Sequence, residues 1–217
     1  MSITHHPSHQ ILGRLAAGTL DAGQRLVIEV HAASCPRCRD LLGALDCIGG
    51  EALEAAVPVQ MVTDAFERVM ARAQTSTPTP PPKQANATKT NLEDDLLPPQ
   101  LRNYAIGKRR RVAPGVSLRP ITLPFPSASR VFLLQSAPGT KMLEHTHSGT
   151  EFTCVLSGSF THDKGRYMPG DFDFGDAGVD HEPMVTADGA CICLVAMTGE
   201  LKPHGWFGRM IAPFIRI

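Results

Sequence analysis

The stretch HAASCPRC, residues 31–38, decides how the first part of this chain folds, because it has the spacing H-x3-C-x2-C. Cys35 and Cys38 are close enough in sequence to bind one metal ion, and His31 precedes Cys35 by about one helical turn. Thiolate and imidazole ligands in combination favour zinc, which is usually tetrahedral at structural sites. The motif therefore predicts a zinc site that needs one further ligand.

The fourth ligand has to come from elsewhere, and the histidines upstream of the motif are His5, His6 and His9. We take His6 as the first choice and His5 as the second. The alternative interpretation of the motif is a pair of surface thiols beside a solvated histidine. A thioredoxin-like redox role for Cys35 and Cys38 is disfavoured because no βαβ pattern surrounds them.

Residues 1–75 have the apolar spacing of short helices, which predicts an all-α domain. Ser8 and Asp21 are predicted N-caps, and Pro36 stands at the favoured first position of a third helix. That helix is predicted to end at Gly49-Gly50. A segment this short rarely has enough core to stand alone. A structural zinc that joins three segments would supply the missing stability.

Residues 59–73 form a further amphipathic pattern. Val62, Phe66, Val69 and Met70 fall on one stripe, and charged side chains lie off it. Two interpretations are open: the stripe completes the core of the small helical domain, or it lies in the groove of a partner protein.

Composition excludes several classes of protein. Lys plus Arg and Asp plus Glu are 21 each, so no net charge attracts nucleic acid or membrane. The first ten residues lack the apolar core of a signal peptide, and no run approaches the roughly 18 apolar residues of a membrane span. We therefore expect a cytoplasmic protein, in which six cysteines indicate metal binding or redox sensing rather than disulfides.

Residues 76–100 are predicted to be a linker, because they are rich in proline and small polar residues and cannot bury a core. The basic run at residues 108–111 follows it. We expect these side chains to form a solvated edge of the next domain rather than a contact with nucleic acid, since no aromatic or motif context accompanies them.

Residues 101–217 are predicted to form an all-β domain. Short runs rich in Val, Leu, Ile and Phe, separated by Pro and Gly, span residues 116–123, 130–136, 152–160, 171–174 and 190–197. This spacing is typical of a sandwich or a jelly-roll barrel.

A second set of candidate ligands lies inside that region. His145 and His147 are two residues apart and point to one face of a strand, and Glu151 keeps the same parity. His181 comes later in the chain. Three histidines and a carboxylate suit Zn, Mn, Fe or Ni. The spacing from Gly139 to Gly158 matches the first cupin motif at every defined position, and Gly170, Gly178 and His181 match part of the second. The proline and asparagine of that second motif are replaced by Asp176 and Val185.

The other cysteines and histidines carry weaker signals. Cys191 and Cys193 are predicted to be neighbours inside the barrel, either as ordinary buried cysteines or as a redox pair. Cys47 and Cys154 are expected in the core. We expect His162 and His204 to be surface or packed side chains.

The two sites together resemble the ChrR-type zinc-binding anti-sigma factors of bacteria, over nearly the whole chain. The resemblance rests on residues 4–6, 16–20, 31–38, 188–194 and 213–217 and on the cupin residues. It implies a helical domain that sequesters an ECF-type sigma factor, with zinc bound by His6, His31, Cys35 and Cys38.

The resemblance also implies a cupin domain that binds a second zinc or another divalent metal through His145, His147, Glu151 and His181. That domain would sense an oxidative signal, and a homodimer formed through it is also open. The main rival is a cupin metalloenzyme, a dioxygenase or isomerase, with an N-terminal zinc interaction module. A small-molecule sensor without catalysis is a third interpretation.

Overall fold

The structure is a computed structural model that describes residues 2–75, 97–142, 144–178, 180 and 182–203. The helices are α1 (His9–Ala16), α2 (Ala22–Ser34), α3 (Pro36–Glu54) and α4 (Ala65–Thr75), followed by a short 3₁₀ helix (Pro99–Leu101). The strands are β1 (Ala105–Ile106), β2 (Arg110–Ala113), β3 (Val116–Thr122), β4 (Arg130–Ser136), β5 (His145–His147), β6 (Glu151–Ser157), β7 (Phe160–His162), β8 (Gly165–Tyr167), β9 (Phe172–Gly175), β10 (Met184–Val185), β11 (Cys191–Met197) and β12 (Leu201–Pro203). A helix with the length and hydropathy to cross a membrane does not occur in these ranges.

The starts of the first three helices follow the predicted signals. The Ser8 and Asp21 side chains accept backbone N–H groups in the first turns of α1 and α2. Pro36 begins α3, where its missing N–H costs no hydrogen bond. Side-chain caps therefore mark the starts of α1 and α2, and a first-position proline marks the start of α3.

Two predicted helix boundaries were wrong. α3 continues through Gly49-Gly50 to Glu54, and neither glycine has a positive φ, so both keep helical backbone. Glycine lowers helix stability by about 1 kcal/mol but does not by itself end a helix. α4 begins at Ala65 and not at Val59. The residues between include Val59 and Val62, whose β-branched side chains favour helix less.

Antiparallel sheets make up the second part of the chain. Within the described residues, the largest has the order β1-β3-β4-β11-β6-β9, with β2 also paired to β3. Smaller sheets have the orders β10-β7-β8 and β12-β5. The five predicted strands correspond to β3, β4, β6, β9 and β11, and the largest difference is that β6 ends at Ser157 rather than Phe160. The predicted combination of helices and an all-β region is confirmed at this level.

The main hydrophobic core is shared by the helices and the large sheet. α2 packs on β6 and β11, and Leu26 and Ile28 belong to the same buried cluster as Val131 and Leu194. At Gly23 a Cβ atom would lie 2.7 Å from Val131 Cγ2, so the helix backbone approaches the sheet closely. The helices, which are too short to have a sufficient core of their own, therefore share one with the sheet in addition to any stability from zinc.

The predicted linker is only partly covered, because residues 76–96 lie outside the described residues. Where the description resumes, Leu97 and Leu101 are buried in the shared core. The basic run at residues 108–111 is exposed, as expected for a solvated edge. The boundaries 1–75, 76–100 and 101–217 stay predictions.

Candidate metal centre

Four side chains from three segments of the chain meet at the end of α2. His6 precedes α1, and His31 lies in the last turn of α2. Cys35 occupies the N-cap position of α3, and Cys38 lies in the first turn of that helix. One nitrogen or sulfur atom of each lies within 4.8 Å of the others. His31, Cys35 and Cys38 are buried and His6 is half-buried. The junction of α2 and α3 brings together the three residues of the H-x3-C-x2-C motif, and the N-terminal segment adds His6.

The distances between these atoms suit a tetrahedral zinc ion. His31 Nε2 lies 3.2 Å from Cys38 Sγ, and His6 Nδ1 lies 3.3 Å from Cys35 Sγ and 3.6 Å from Cys38 Sγ. Zinc bonds of about 2.3 Å to sulfur and 2.0–2.1 Å to nitrogen separate tetrahedral ligands by about 3.5 Å. A site with two thiols and two imidazoles favours zinc over harder cations such as magnesium or calcium.

The hydrogen bonding of His31 also favours a metal ligand. Its Nδ1–H donates to the Gly170 carbonyl at 2.7 Å, which leaves the lone pair of Nε2 directed at the thiols. Burial lowers the pKa of His31. The hydrogen bond to Gly170 acts in the opposite direction, and the neighbouring His6 lowers the pKa further. Burial also lowers the pKa of His6, together with the charge of Arg37. Both shifts favour the neutral imidazole, which is the form that metal coordination requires.

The two thiols can bind a metal only as thiolates, so their negative charge has to be stabilised inside the protein. Burial, reinforced by the hydrogen bond and charge of Cys35, raises the pKa of Cys38 to about 12 in the metal-free chain. Two buried thiolates without a cation would be strongly unfavourable. A divalent cation would supply the positive charge that stabilises them.

The structure distinguishes His6 from the second choice, His5. The His5 ring stacks on Tyr167 at 4.0 Å between centroids and lies 3.6 Å from the Asp171 carboxylate. It therefore belongs to the packing between the N-terminal segment and the sheet. His6 is the neighbour that reaches Cys35 and Cys38.

The described ligands of the predicted cupin site lie together on β5 and β6. His145 and His147 are buried, with ring centroids 5.1 Å apart. His147 Nε2 lies 3.8 Å from Glu151 Oε2, and Glu151 Oε1 accepts a hydrogen bond from Thr153. The fourth predicted ligand, His181, lies outside the described residues, so the complete set stays a prediction.

The remaining cysteine and histidine predictions have different outcomes. Cys191 and Cys193 are neighbours, with their sulfur atoms 3.7 Å apart, and both line a cavity of about 100 Å³. Cys154 is buried as expected, whereas Cys47 is exposed on α3 and its predicted place in the core was wrong. His162 is packed between Asp163 and Asp173. His204 lies outside the described residues.

Sequence reasoning missed two residues that support the metal centre. Gly170 accepts the hydrogen bond of His31, and the Asp171 carboxylate accepts the backbone N–H groups of Thr4 and His5. These backbone bonds, with one from Met168, outweigh burial and hold the pKa of Asp171 below its usual range. His31 and Gly170 are 139 positions apart in the sequence, and Asp171 is still farther from Thr4 and His5. No local pattern could therefore have indicated these contacts.

The fold and site together define a helical unit with a His2Cys2 cluster packed on a cupin-like sheet, and comparison with known proteins agrees. A family described as the ChrR cupin-like domain matches residues 108–200, and a zinc-finger family matches residues 8–39. The anti-sigma-E factor ChrR of Cereibacter sphaeroides is 32% identical over 221 residues, which cover 100% of both chains.

The crystal structure of Rhodobacter sphaeroides SigE in complex with the anti-sigma ChrR matches with a TM-score of 0.72 and 31% identity, covering 90% of this chain and 99% of that chain. The chain belongs to the ChrR family of anti-sigma factors. Both full-length relatives are named as regulators of a sigma factor and not as enzymes. This favours the regulatory interpretation over the metalloenzyme.

Proposed function

We propose that this protein sequesters an ECF-type sigma factor and releases it on an oxidative-stress signal that the cupin domain senses. The proposal is supported by the full-length match to an anti-sigma factor and by the solved complex of such a relative with its sigma factor. The observation that carries it on this chain is a set of apolar side chains that the described residues leave exposed.

That surface, called here the apolar ridge, runs along the end of α3, the segment after it, and α4. Its members are apolar side chains that are 62% to 89% exposed: Ile48, Leu53, Val57, Val59, Met61, Val62, Phe66 and Val69. None of the α4 residues is buried, so the interpretation that its stripe completes the helical core was wrong. Exposed apolar side chains concentrated in one stretch of chain are typical of a protein interaction site. A sigma factor is the occupant that the related complex supports.

The zinc proposed for the N-terminal site would be bound by His6, His31, Cys35 and Cys38. Bound there, it would supply a tetrahedral link between the start of the chain, α2 and α3. We assign this site a structural role, because the four protein ligands complete a tetrahedron and leave no position for a substrate. The ridge begins on the same α3 that these ligands anchor.

For the second domain we propose a closed jelly-roll barrel over residues 101–217 that binds zinc or another divalent metal. His145, His147 and Glu151 lie close together, and His181 is the proposed fourth ligand. We further propose a cytoplasmic protein that does not itself bind nucleic acid or membrane. A homodimer through the cupin domain is compatible with this assignment.

Release of the sigma factor requires that the signal favour a state with lower affinity for it. An effector that binds the free and complexed forms equally shifts no equilibrium. A tenfold weaker affinity corresponds to about 1.4 kcal/mol, which is of the order of one or two hydrogen bonds. A small rearrangement between the sheet and the helices is therefore sufficient.

Co-expression with an ECF-type sigma factor from the same organism tests the proposal. We expect a one-to-one complex that represses transcription from the sigma factor's promoter in a purified system. Absence of both binding and repression by well-folded, zinc-loaded protein would overturn the assignment. Turnover of a candidate substrate by the iron-loaded protein, without affinity for any sigma factor, would favour a metalloenzyme instead.

A further inference from the structure

The first residues of the chain are bound to a turn of the sheet domain just before β9. Asp171 Oδ1 accepts the backbone N–H of Thr4 at 2.7 Å and that of His5 at 2.9 Å. The next residue of the turn, Phe172, donates its N–H to the His5 carbonyl at 3.1 Å. These three bonds fix the backbone immediately before His6, one of the four candidate zinc ligands.

The same turn holds the second histidine ligand. Gly170 accepts the Nδ1–H of His31 at 2.7 Å, and this bond sets both the tautomer and the orientation of a ring that is fully buried. Gly170 has a φ of +93°, and a Cβ there would lie 2.7 Å from Ile3 Cδ1. Only glycine combines this backbone conformation with such a close approach of the N-terminal segment.

We propose that residues 170–172, here the latch turn, position the zinc ligands from the opposite domain, so that zinc affinity and the docking of the helices on the sheet are coupled. The proposal rests on the assignment of zinc to the His2Cys2 site. Ligating histidines need a second partner on the other ring nitrogen. In this chain that partner, and the carboxylate that holds the His6 segment, both belong to the sheet domain. Because coupling is reciprocal, whatever loosens the turn weakens zinc binding, and loss of zinc loosens the turn.

The position of β9 gives the latch turn a connection to the second candidate site. β9 begins at Phe172, inside the turn, and its last residue, Gly175, is paired with Glu151 on β6. One strand of four residues therefore has the His2Cys2 site at one end and a predicted cupin ligand at the other. A displacement of the sheet at Glu151 has a short, hydrogen-bonded route to the zinc ligands.

Zinc affinity of the full-length chain tests the proposal through Asp171→Ala and the milder Asp171→Asn. Cobalt is loaded in place of zinc, and its thiolate charge-transfer band reports the site with cysteine ligands, while zinc displaces it in a chelator-buffered titration. We expect a 10- to 100-fold weaker affinity for Asp171→Ala. Asp171→Asn should lose less, because an amide oxygen can still accept from Thr4 and His5. Asp173→Asn, a buried carboxylate on β9 that bonds His162 instead, is the matched control and should bind zinc like the wild type.

Hydrogen exchange gives a second measurement that does not depend on an Asp171 variant folding. In His6→Ala, which removes one ligand and leaves the sheet intact, the Phe172 amide should exchange at least tenfold faster than in the zinc-loaded wild type, while β11 amides stay protected. Zinc affinity of Asp171→Ala within twofold of the wild type, an equal loss in Asp173→Asn, or unchanged exchange at Phe172 would each overturn the coupling. A wild-type chain without any thiolate band would instead overturn the zinc site itself.

Discussion

α2 and α4 are helices of similar length with opposite surroundings. Of the 13 residues of α2, eight are buried, whereas none of the 11 residues of α4 is. Both sequences have an apolar side, so amphipathicity alone does not distinguish them. The difference is what lies opposite: the sheet covers α2, and nothing in the described part of the chain covers α4. The comparison teaches that α2 is buried by the sheet, whereas α4 is the helix whose apolar side the described residues leave exposed.

Both ends of α2 are hydrogen-bonded to the sheet domain. At its start, the Asp21 carboxylate bonds the Ser127 and Ser129 hydroxyls of the sheet domain as well as the helix backbone. At its end, His31 bonds Gly170. In α4, by contrast, none of the described residues is buried. The predictions below test this difference between α2, with its anchors, and the helices α3 and α4.

The largest effect is expected from loss of zinc, for example through Cys38→Ser. A structural zinc site contributes on the order of 10 kcal/mol of binding free energy at neutral pH. We expect α1 and α3 to lose helical structure, seen as a reduced helical circular dichroism signal. α2 should keep slow amide exchange, because the sheet still buries it. If all three helices were unaffected in a chain verified to be zinc-free, the structural role of the site would be wrong.

The next largest effect is on the free energy of unfolding, which should depend on side chains of α2 but hardly on those of α4. Leu26→Ala on α2 removes a side chain that is 2% exposed, and the cavity should lower the free energy of unfolding by about 2–5 kcal/mol. Phe66→Ala on α4 removes a side chain that is 71% exposed and should change it by no more than about 0.5 kcal/mol. Urea unfolding of both variants measures the difference. Equal losses would mean that α4 is packed in the free protein after all.

Affinity for the sigma factor should show the reverse order. A large aromatic side chain at the centre of an interface typically contributes about 2 kcal/mol, so Phe66→Ala should weaken binding by roughly 30-fold. Arg68→Ala, about half a turn round α4 from the apolar stripe, is the matched control and should change affinity much less. Isothermal titration with the purified sigma factor measures both. An unchanged affinity for Phe66→Ala would move the interface away from the apolar ridge.

The smallest effect concerns the anchor at Asp21. Burial alone would raise its pKa, but hydrogen bonds from Ser129, Gln24, Ser127 and Gly23 outweigh burial and hold the pKa below its usual range. Because the unfolded chain then binds the proton more tightly, the stabilisation is present above the unfolded pKa and is lost as pH falls through the folded one. Asp21→Asn removes the titrating group and should flatten the acid side of the pH–stability curve. Asp21→Ala should lower the free energy of unfolding by about 0.5–2 kcal/mol as a lost N-cap. If the stability of Asp21→Asn fell at acid pH as steeply as that of the wild type, other carboxylates would be responsible for the acid side of the curve.

Much of the candidate site could be predicted because its signals are local. The spacing of His31, Cys35 and Cys38 puts three candidate ligands at one helix junction whatever surrounds it, and Pro36 marks where α3 begins. The structure brings His6 rather than His5 to the two thiols, but the sequence could not show this, since it depends on how the N-terminal segment lies on the sheet. Cys47 was misplaced because apolar spacing on α3 does not reveal which part of that long helix extends beyond the core.

The sequence by itself determined the elements: the capped helices, the metal-type spacings, the strand-rich second half and the family. These are set by residue types a few positions apart, where backbone geometry is nearly the same in every fold. Only the tertiary structure decided that α2 is buried and α4 is not, and that a turn of the sheet holds the ligands of the helical site. Such contacts join residues more than 100 positions apart; Asp21 and Ser129, for example, are separated by 108 positions. Their partners are chosen by the packing of the whole chain and not by any local pattern.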